Sequence, residues 1–316
     1  MLKAAVVGVG YLGKFHAEKY ARSKQAELVA VVDKDPEVAA KLAAKYRARA
    51  CVDYKDLPGL GVNCVSVAST TSSHHEIASW LIDHGIDVLV EKPVAVTSDE
   101  ARDLISRAET QGVILQVGHL ERFNPAFTAM KAVLDRPVFF EVRRIAEFKG
   151  RGHDVDVVRD LMIHDIDIVS HLVGRPVERI DAVGAAVLTS SVDIANARLW
   201  FEGGAIANVT ASRAAFKTER TIRVFQPNVY VSLDFVKKRI KICRKDPHGR
   251  DTILGIPKIN VEERVIQEQD ALELEIESFL QCVRDRSTPV VTGVDGLCAL
   301  ELAERIHKAF EVHGMW

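Results

Sequence analysis

The run DLMIHDIDIV, residues 160–169, sets three aspartates and a histidine into an otherwise apolar, helix-like pattern. At 3.6 residues per turn, Asp160, His164 and Asp167 share one face of a helix and His171 continues it, while Met162, Ile166, Val169 and Val173 form the opposite, apolar face. Such a stripe has three readings: a solvated surface, a set of metal ligands, or an acid/base pair facing a substrate. Two other groups of residues bear on the choice. In VVGVGYLGKFH, Gly8, Gly10 and Gly13 have G-x-G-x-x-G spacing, and Asp33 closes AVVD 20 residues beyond Gly13. Glycines so placed allow a tight turn, close approach of the backbone to a pyrophosphate and close packing of the following helix. An acidic residue at the end of the second strand accepts hydrogen bonds from ribose hydroxyls and repels a 2′-phosphate, so NAD is expected over NADP, with Lys34 and Lys41 pulling the other way. In DVLVEKPVAV, Glu91, Lys92 and Pro93 end an apolar run, where a lysine could hold or protonate a substrate oxygen.

These groups need elements to position them. Residues 1–118 alternate β-branched runs (KAAVVGV, ELVAVVD, CVSVAS, DVLVEKP, VILQVG) with helical patterns, which predicts a doubly wound α/β domain with a parallel sheet. From residue 119 to 316 the pattern changes. AVGAAVLT, ANARLWFEGGAIANVTAS, ERTIRVFQPNVYVSLDF and KRIKICRK read as hairpins of a large, mostly antiparallel sheet in an α+β domain. Two amphipathic helices, ALELEIESFLQCVRDR and GVDGLCALELAERIHKAFEVHG, follow and are expected to pack back on the first domain. Both alternating sets in AIANVT and YVSLDF carry apolar residues, so the sheet's outer face is expected to join a homodimer or homotetramer.

Composition narrows the partners. With 316 residues, 47% apolar and 27% charged, the chain can build two real cores, and a formal net charge of −2 gives no global field for nucleic acid or an anionic membrane. The five cysteines lack C-x-x-C spacing and read as reduced core thiols. No apolar run reaches membrane-spanning length and MLKAAVVGVG does not read as a signal peptide, so a cytoplasmic protein is expected.

The glycine turn, ASTTSSHH at 68–75, EKP and the D-x-x-x-H of the 160s helix together resemble the Gfo/Idh/MocA oxidoreductases over essentially the whole chain. The resemblance implies an NAD(P)-dependent dehydrogenase of sugars, inositols or sugar nucleotides, with Lys92, Asp160 and His164 at the catalytic centre. It implies cofactor contacts from Gly8, Gly10, Tyr11, Leu12, Gly13, Asp33, Ser69, Thr70, His74, Glu91 and Lys92, and a cis Lys92–Pro93 bond. Where many members carry Thr-Pro, this chain has Ser69-Thr70, with His74 at the matching histidine position.

With a cofactor domain upstream, the acid/base reading of the stripe gains ground. His164 is expected to take the hydroxyl proton, Asp160 to orient its ring, and Lys92 to stabilise developing alkoxide charge; exchange of the roles of Lys92 and His164 is chemically open. Hydride transfer to NAD needs no metal, and none is expected. Asp167 and His171 are expected in interdomain hydrogen bonds. For the substrate, QVGHLERFNPAF offers Arg122 for a phosphate or carboxylate and Asn124 for a hydroxyl or acetamido group, and Arg213 is expected on a diphosphate. An ion-paired hinge is the competing reading of the Glu121–Arg122 stretch.

GH-x-ERFNP, DVDVVRDLMIHDIDIV and ANARLWFEGGAIANVTASR resemble the branch of the family that oxidises the 3-hydroxyl of UDP-N-acetylglucosamine, whose keto product can be aminated for lipid A. Inositols, free sugars and UDP-sugar uronic acids are the alternative substrates, and a non-catalytic NAD-binding sensor is the alternative to an enzyme.

Overall fold

The computed structural model describes residues 1–148, 156–250 and 257–313. The chain runs through β1 (Leu2–Val7), α1 (Gly13–Arg22), β2 (Ala26–Val32), α2 (Pro36–Tyr46), β3 (Arg49–Cys51), β4 (Cys64–Val67), α3 (Thr71–Asp83), β5 (Asp87–Glu91), α4 (Ser98–Gln111) and β6 (Leu115–Gly118). The six strands form one parallel sheet in the order β3-β2-β1-β4-β5-β6. All residues of β4, β5 and β6 are buried, as expected for strands covered on both faces. β3 was not anticipated, because three residues of RAC carry no periodicity. Helix starts follow local chemistry. Asp35 caps α2 by accepting from the Glu37 and Val38 N–H groups, with Pro36 at the first position, and Thr97 and Glu100 form a reciprocal capping box on α4.

A 3-10 turn at Leu120–Phe123 leads to α5 (Pro125–Lys131), then β7 (Phe139–Glu147), a π-helical turn at Val158–Met162, α6 (Ile163–Val173), β8 (Val177–Ala185), β9 (Ile194–Phe201), β10 (Ile206–Ala215), β11 (Glu219–Gln226), β12 (Val229–Asp234), β13 (Arg239–Arg250) and β14 (Pro257–Val265). These eight strands form a second sheet, β14-β13-β12-β11-β7-β10-β9-β8, antiparallel except between β7 and β10. Gly203 and Gly204, both at positive φ, make the turn between β9 and β10, and Asn228 at φ 64° makes the one between β11 and β12. β7 escaped the sequence reading because Arg143-Arg144 interrupts its alternation. β8 begins before AVGAAVLT and ends at Ala185, since the Asp193 carboxylate captures the N–H groups of Val187, Leu188 and Thr189 and turns the chain out of the sheet. The outer face is also more polar than expected. In β10 the buried set is Ala207, Val209 and Ala211, while Ile206, Asn208 and Thr210 face out; in β12 Val231 and Leu233 are buried, while Tyr230, Ser232 and Asp234 face out.

Two helices follow, α7 (Ala271–Asp285) and α8 (Gly293–His313). The chain divides into two compact units, one of residues 1–123 with 270–300, the other of 124–269 with 301–316. The division thus falls five residues beyond the expected 118/119, and α7 joins the first unit, where Leu272, Ile276, Phe279 and Leu280 pack with Val6, Tyr20 and Leu89. The second unit has its own core, in which Phe140, Met162, Ile166, Val209 and Ile306 share one cluster. Asp154, Val155 and Gly314, which belong to the sequence stretches discussed above, lie outside the described residues. Among the described residues no helix is long and apolar enough to cross a membrane. The cysteines are thiols; Cys51, Cys64 and Cys282 are buried, whereas Cys243 is half-buried and Cys298 is exposed rather than in the core.

Candidate active site

The glycine turn forms one wall of a cleft of about 580 Å³ at the carboxyl ends of β1, β2 and β4. Its three glycines do different work. Gly8 is at φ 82°, and a Cβ there would lie 2.5 Å from the Ser69 backbone. A Cβ on Gly13 would lie 1.8 Å from the Gly8 carbonyl oxygen, so this glycine lets α1 close against the turn itself. Gly10 has nothing within 4 Å of its Cβ position and borders the cleft, leaving its backbone open to a ligand. No side chain caps α1 and its first turn has no acidic residue. A helix N-terminus of that kind suits a pyrophosphate. Tyr11 and Leu12 line the same cleft, with Tyr11 70% exposed.

Asp33 borders the cleft, where its carboxylate accepts from the Val9 N–H at 3.0 Å and the Asp35 N–H at 3.1 Å. These bonds hold it against the glycine turn while leaving acceptor capacity for ribose hydroxyls. Lys34 lines the cleft as well, and Lys41 lies on the exposed side of α2. Ser69 and Thr70 line the opposite wall, tied by Ser73, whose hydroxyl donates to Ser69 Oγ and to the Thr70 carbonyl. Tyr54 and Glu76 also border the cleft and were missed in the sequence, because they follow the unrecognised β3 and sit inside α3. The Tyr54 hydroxyl donates to Glu76 at 3.0 Å, and burial together with that carboxylate pushes the phenol up to about 12. The donor set and the open Gly10 backbone fit a dinucleotide.

At the end of β5 the Lys92–Pro93 bond is cis, as the resemblance implied. Glu91 lies beneath it. One carboxylate oxygen meets His16 Nε2 at 3.0 Å and the other accepts from the Lys92 N–H at 3.2 Å. His74 is 1% exposed, its ring nitrogens 2.9 Å from the Pro93 carbonyl and 3.1 Å from the Ser69 carbonyl. Burial lowers its pKa, while the two carbonyls, which call for a donor on each ring nitrogen, pull it back up. His74 therefore braces the loops after β4 and β5 rather than offering a free ring edge to a ribose.

In the second unit the acidic helix departs from its expected form. Asp160 lies in the π-helical turn Val158–Met162 and His164 at the start of α6, both half-buried, so the i, i+4 spacing does not run through one α-helix. π-turns of this kind recur at functional sites. Asp156 anchors the turn by accepting from the Val158 and Arg159 N–H groups, and its carboxylate lies 3.0 Å from His307 Nε2. Burial raises the Asp156 pKa, but His307 and these N–H groups outweigh it and hold the carboxyl low. Asp165 and Asp167 are both buried. Asp165 forms a two-pronged pair with Arg144 on β7, both bonds at 2.8 Å, which periodicity alone could not reveal. His171 Nε2 lies 2.8 Å from Lys131 Nζ.

The residues expected to hold the substrate have structural work of their own. Arg122 is buried and donates to Asp295 at 3.2 Å, which is the ion-paired reading with a different acid. Asn124 caps α5 through its side-chain oxygen. Arg213 is buried, with Nε on Asp193 and Nη2 on the Thr189 and Ser191 hydroxyls. Its donors hold the 187–193 loop, so this geometry does not provide the expected diphosphate contact. Among the described residues, no group of three or more His, Cys, Asp or Glu side chains is arranged to hold a metal ion.

A 3-2-1-4-5-6 parallel sheet, a glycine turn opening on a cleft and an acid ending β2 define a Rossmann dinucleotide-binding protein. The family model for an oxidoreductase family with an NAD-binding Rossmann fold matches residues 2–119, and that for the GFO/IDH/MocA C-terminal domain matches 131–228. The chain belongs to the Gfo/Idh/MocA oxidoreductases, NAD-dependent dehydrogenases acting on CH–OH groups. It is 36% identical to the UDP-N-acetylglucosamine 3-dehydrogenase of Acidithiobacillus ferrooxidans, over 98% of this chain and 97% of that one. A solved structure of an enzyme of that name and organism superposes with a TM-score of 0.91 at 34% identity, covering 98% of each chain. The scyllo-inositol 2-dehydrogenase (NAD(+)) of Bacillus subtilis is 26% identical, over 98% of this chain and 94% of that one.

Proposed function

We propose that this protein oxidises the 3-hydroxyl of UDP-N-acetylglucosamine to the 3-keto sugar nucleotide. The observation that carries the reading is the full-length likeness to the Acidithiobacillus enzyme of that activity. NAD, when bound, supplies the hydride acceptor. The chain's residues do the rest. Main-chain N–H groups at the start of α1 hold the pyrophosphate and Asp33 holds the adenosine ribose. His164 accepts the hydroxyl proton, Asp160 orients and stabilises the imidazolium, and Lys92 stabilises the developing alkoxide. A 3-keto sugar is a substrate for transamination, and on this reading the protein serves the 3-amino sugars of lipid A.

A second reading, an inositol dehydrogenase, is favoured by one specific feature: Arg122 and Arg213 are both committed to buried ion pairs, which removes the two arginines first expected on a diphosphate. Both readings place the protein in the cytoplasm, where NAD and its substrates are made. A homodimer or homotetramer through the second sheet is supported by the outer aromatic row Phe139, Phe225 and Tyr230, with successive ring centroids 5.6 and 4.9 Å apart; sedimentation of the purified protein tests it. The deciding experiment follows NADH formation with UDP-N-acetylglucosamine, its uronic acid, UDP-glucose and myo-inositol, each with a ketone trap. Turnover only with UDP-N-acetylglucosamine is expected. Turnover only with inositol would establish the second reading, and silence despite NADH binding would overturn both in favour of a sensor.

A further inference from the structure

Behind Glu91 lies a second carboxyl that the chemistry above leaves without a task. Glu275, on α7, is 0% exposed, and neither of its carboxyl oxygens has a hydrogen-bond partner among the described residues. His16 Nδ1 and Gln116 Oε1 are buried without partners as well, and Gln116 donates to the Glu275 main-chain oxygen at 3.4 Å. Glu91 itself is immobilised between His16, the Lys92 N–H and the bare backbone of Gly118, where a Cβ would lie 2.9 Å from the carboxyl carbon. Its position therefore sets that of the Lys92 main chain.

We propose that Glu275 is a positioning residue for Lys92, an un-ionised carboxylic acid that donates into the Glu91–His16 pair through one internal water and keeps Glu91 anchored to the Lys92 N–H. The charged groups on the elements around Glu275 face other partners or carry its own sign. On α1, Lys19 is drawn to Asp270 and Glu273, and Tyr20 to Ser66; His16 faces Glu91. From the turn after β6 come Arg122, paired with Asp295, the buried imidazole of His119, and Glu121, which brings the same sign of charge. From β6 comes only the amide of Gln116, and from β5 the like charge of Glu91. Two neighbouring buried carboxyls, with the one facing imidazole, His16, given to Glu91, do not readily both ionise. Burial first, and then the Glu91 charge, push the Glu275 carboxyl well above the usual carboxylate range. The unpaired atoms of His16, Gln116 and Glu275 are the polar groups that such a water would serve.

The function of Glu275 rests on Lys92 serving the reaction, but its protonation does not, so the two can fail separately. The infrared difference spectrum of wild type minus Glu275→Gln, taken at neutral pH without substrate, should show the carbonyl stretch of a protonated carboxyl that moves in D2O. Carboxylate bands in its place would overturn the proposal whatever the substrate. On whichever substrate the panel identifies, Glu275→Leu should bind NADH as wild type does, lose about ten- to a hundredfold in kcat and move the acid limb of the kcat profile to higher pH. Glu275→Gln, which keeps a donor, should recover most of the rate and the wild-type profile. An unmoved profile in the leucine variant, or a glutamine variant that rescues nothing, would show that Glu275 merely fills space.

Discussion

The carboxylates beside the motifs of the first unit and those buried in the second are held in different ways, and the difference explains which residues can be read from sequence. Away from its motifs the first unit also uses distant arginines, Arg286 on Asp87 and Arg122 on Asp295. In the first unit the anions beside the motifs accept from main-chain N–H groups, Asp33 from Val9 and Asp35, and Glu91, which also faces His16, from Lys92. Those donors exist because of local turns, and local turns have motifs. In the second unit the buried carboxylates are held by arginines far away in sequence, Asp165 by Arg144 and Asp193 by Arg213. An arginine committed to a distant aspartate looks, in sequence, like one waiting for a substrate phosphate. Comparing the units teaches that a charge beside a motif can be assigned early, whereas a charge on a strand cannot until its partner strand is known.

The sharpest way to press the comparison is to remove a side chain from the first unit that should serve chemistry alone. Lys92→Ala should lower kcat by about 10²–10⁴-fold while NADH affinity and melting temperature stay near wild type. Stopped-flow turnover and NADH fluorescence titration measure the two quantities. Retained turnover would take Lys92 out of the mechanism, and lost NADH affinity would make it a binding residue.

The opposite behaviour is expected for the buried pair of the second unit. Asp165→Leu leaves the Arg144 guanidinium, 6% exposed, without its carboxylate, and should cost about 3–5 kcal/mol in urea unfolding. Asp165→Leu combined with Arg144→Met should recover most of that loss, since an apolar pair of similar volume has no charge to desolvate. If the single variant is as stable as wild type, the pair carries no stability and the contrast between the units fails.

The same contrast accounts for how far the sequence could be read. The glycine turn and Asp33 were legible because each sits where a strand ends and a short motif begins, the parallel sheet because its strands alternate with helical patterns, and the cis Lys92–Pro93 bond only as what the resemblance implies. The cleft's far wall was not, since Tyr54 follows a three-residue strand and Glu76 is one more polar residue on a helix. Periodicity found the acidic stripe of the second unit but not its geometry. One π-turn adds a residue to the local repeat, and nothing in VRDLM signals it. Glu275 was invisible for a related reason: on α7 a glutamate between Leu274 and Ile276 reads as the polar side of an amphipathic helix, and only the fold turns that side inward.

The subtlest test concerns Asp193, whose anion is shared between the two ways of holding charge. Burial raises its carboxyl pKa, but the Arg213 guanidinium and the N–H groups of Val187, Leu188 and Thr189 outweigh burial and hold it well below the usual carboxylate range. A carboxyl depressed on folding stabilises the native state above its unfolded pKa, about 3.9, and that contribution drains away as pH falls through the window between the unfolded and folded values. Asp193→Asn fills the same space without the charge. It should cost about 1.5–3 kcal/mol at neutral pH, the strength of hydrogen bonds to a charged group. The gap in melting temperature between wild type and variant should then narrow steadily below about pH 4, where wild type loses what the variant never had. A gap that stays constant down to acid pH would mean that the 187–193 turn is held by Arg213 and the loop hydroxyls rather than by the carboxylate. Arg213 would then be no more committed to Asp193 than a substrate-facing arginine, and the distinction drawn between the units would not extend to it.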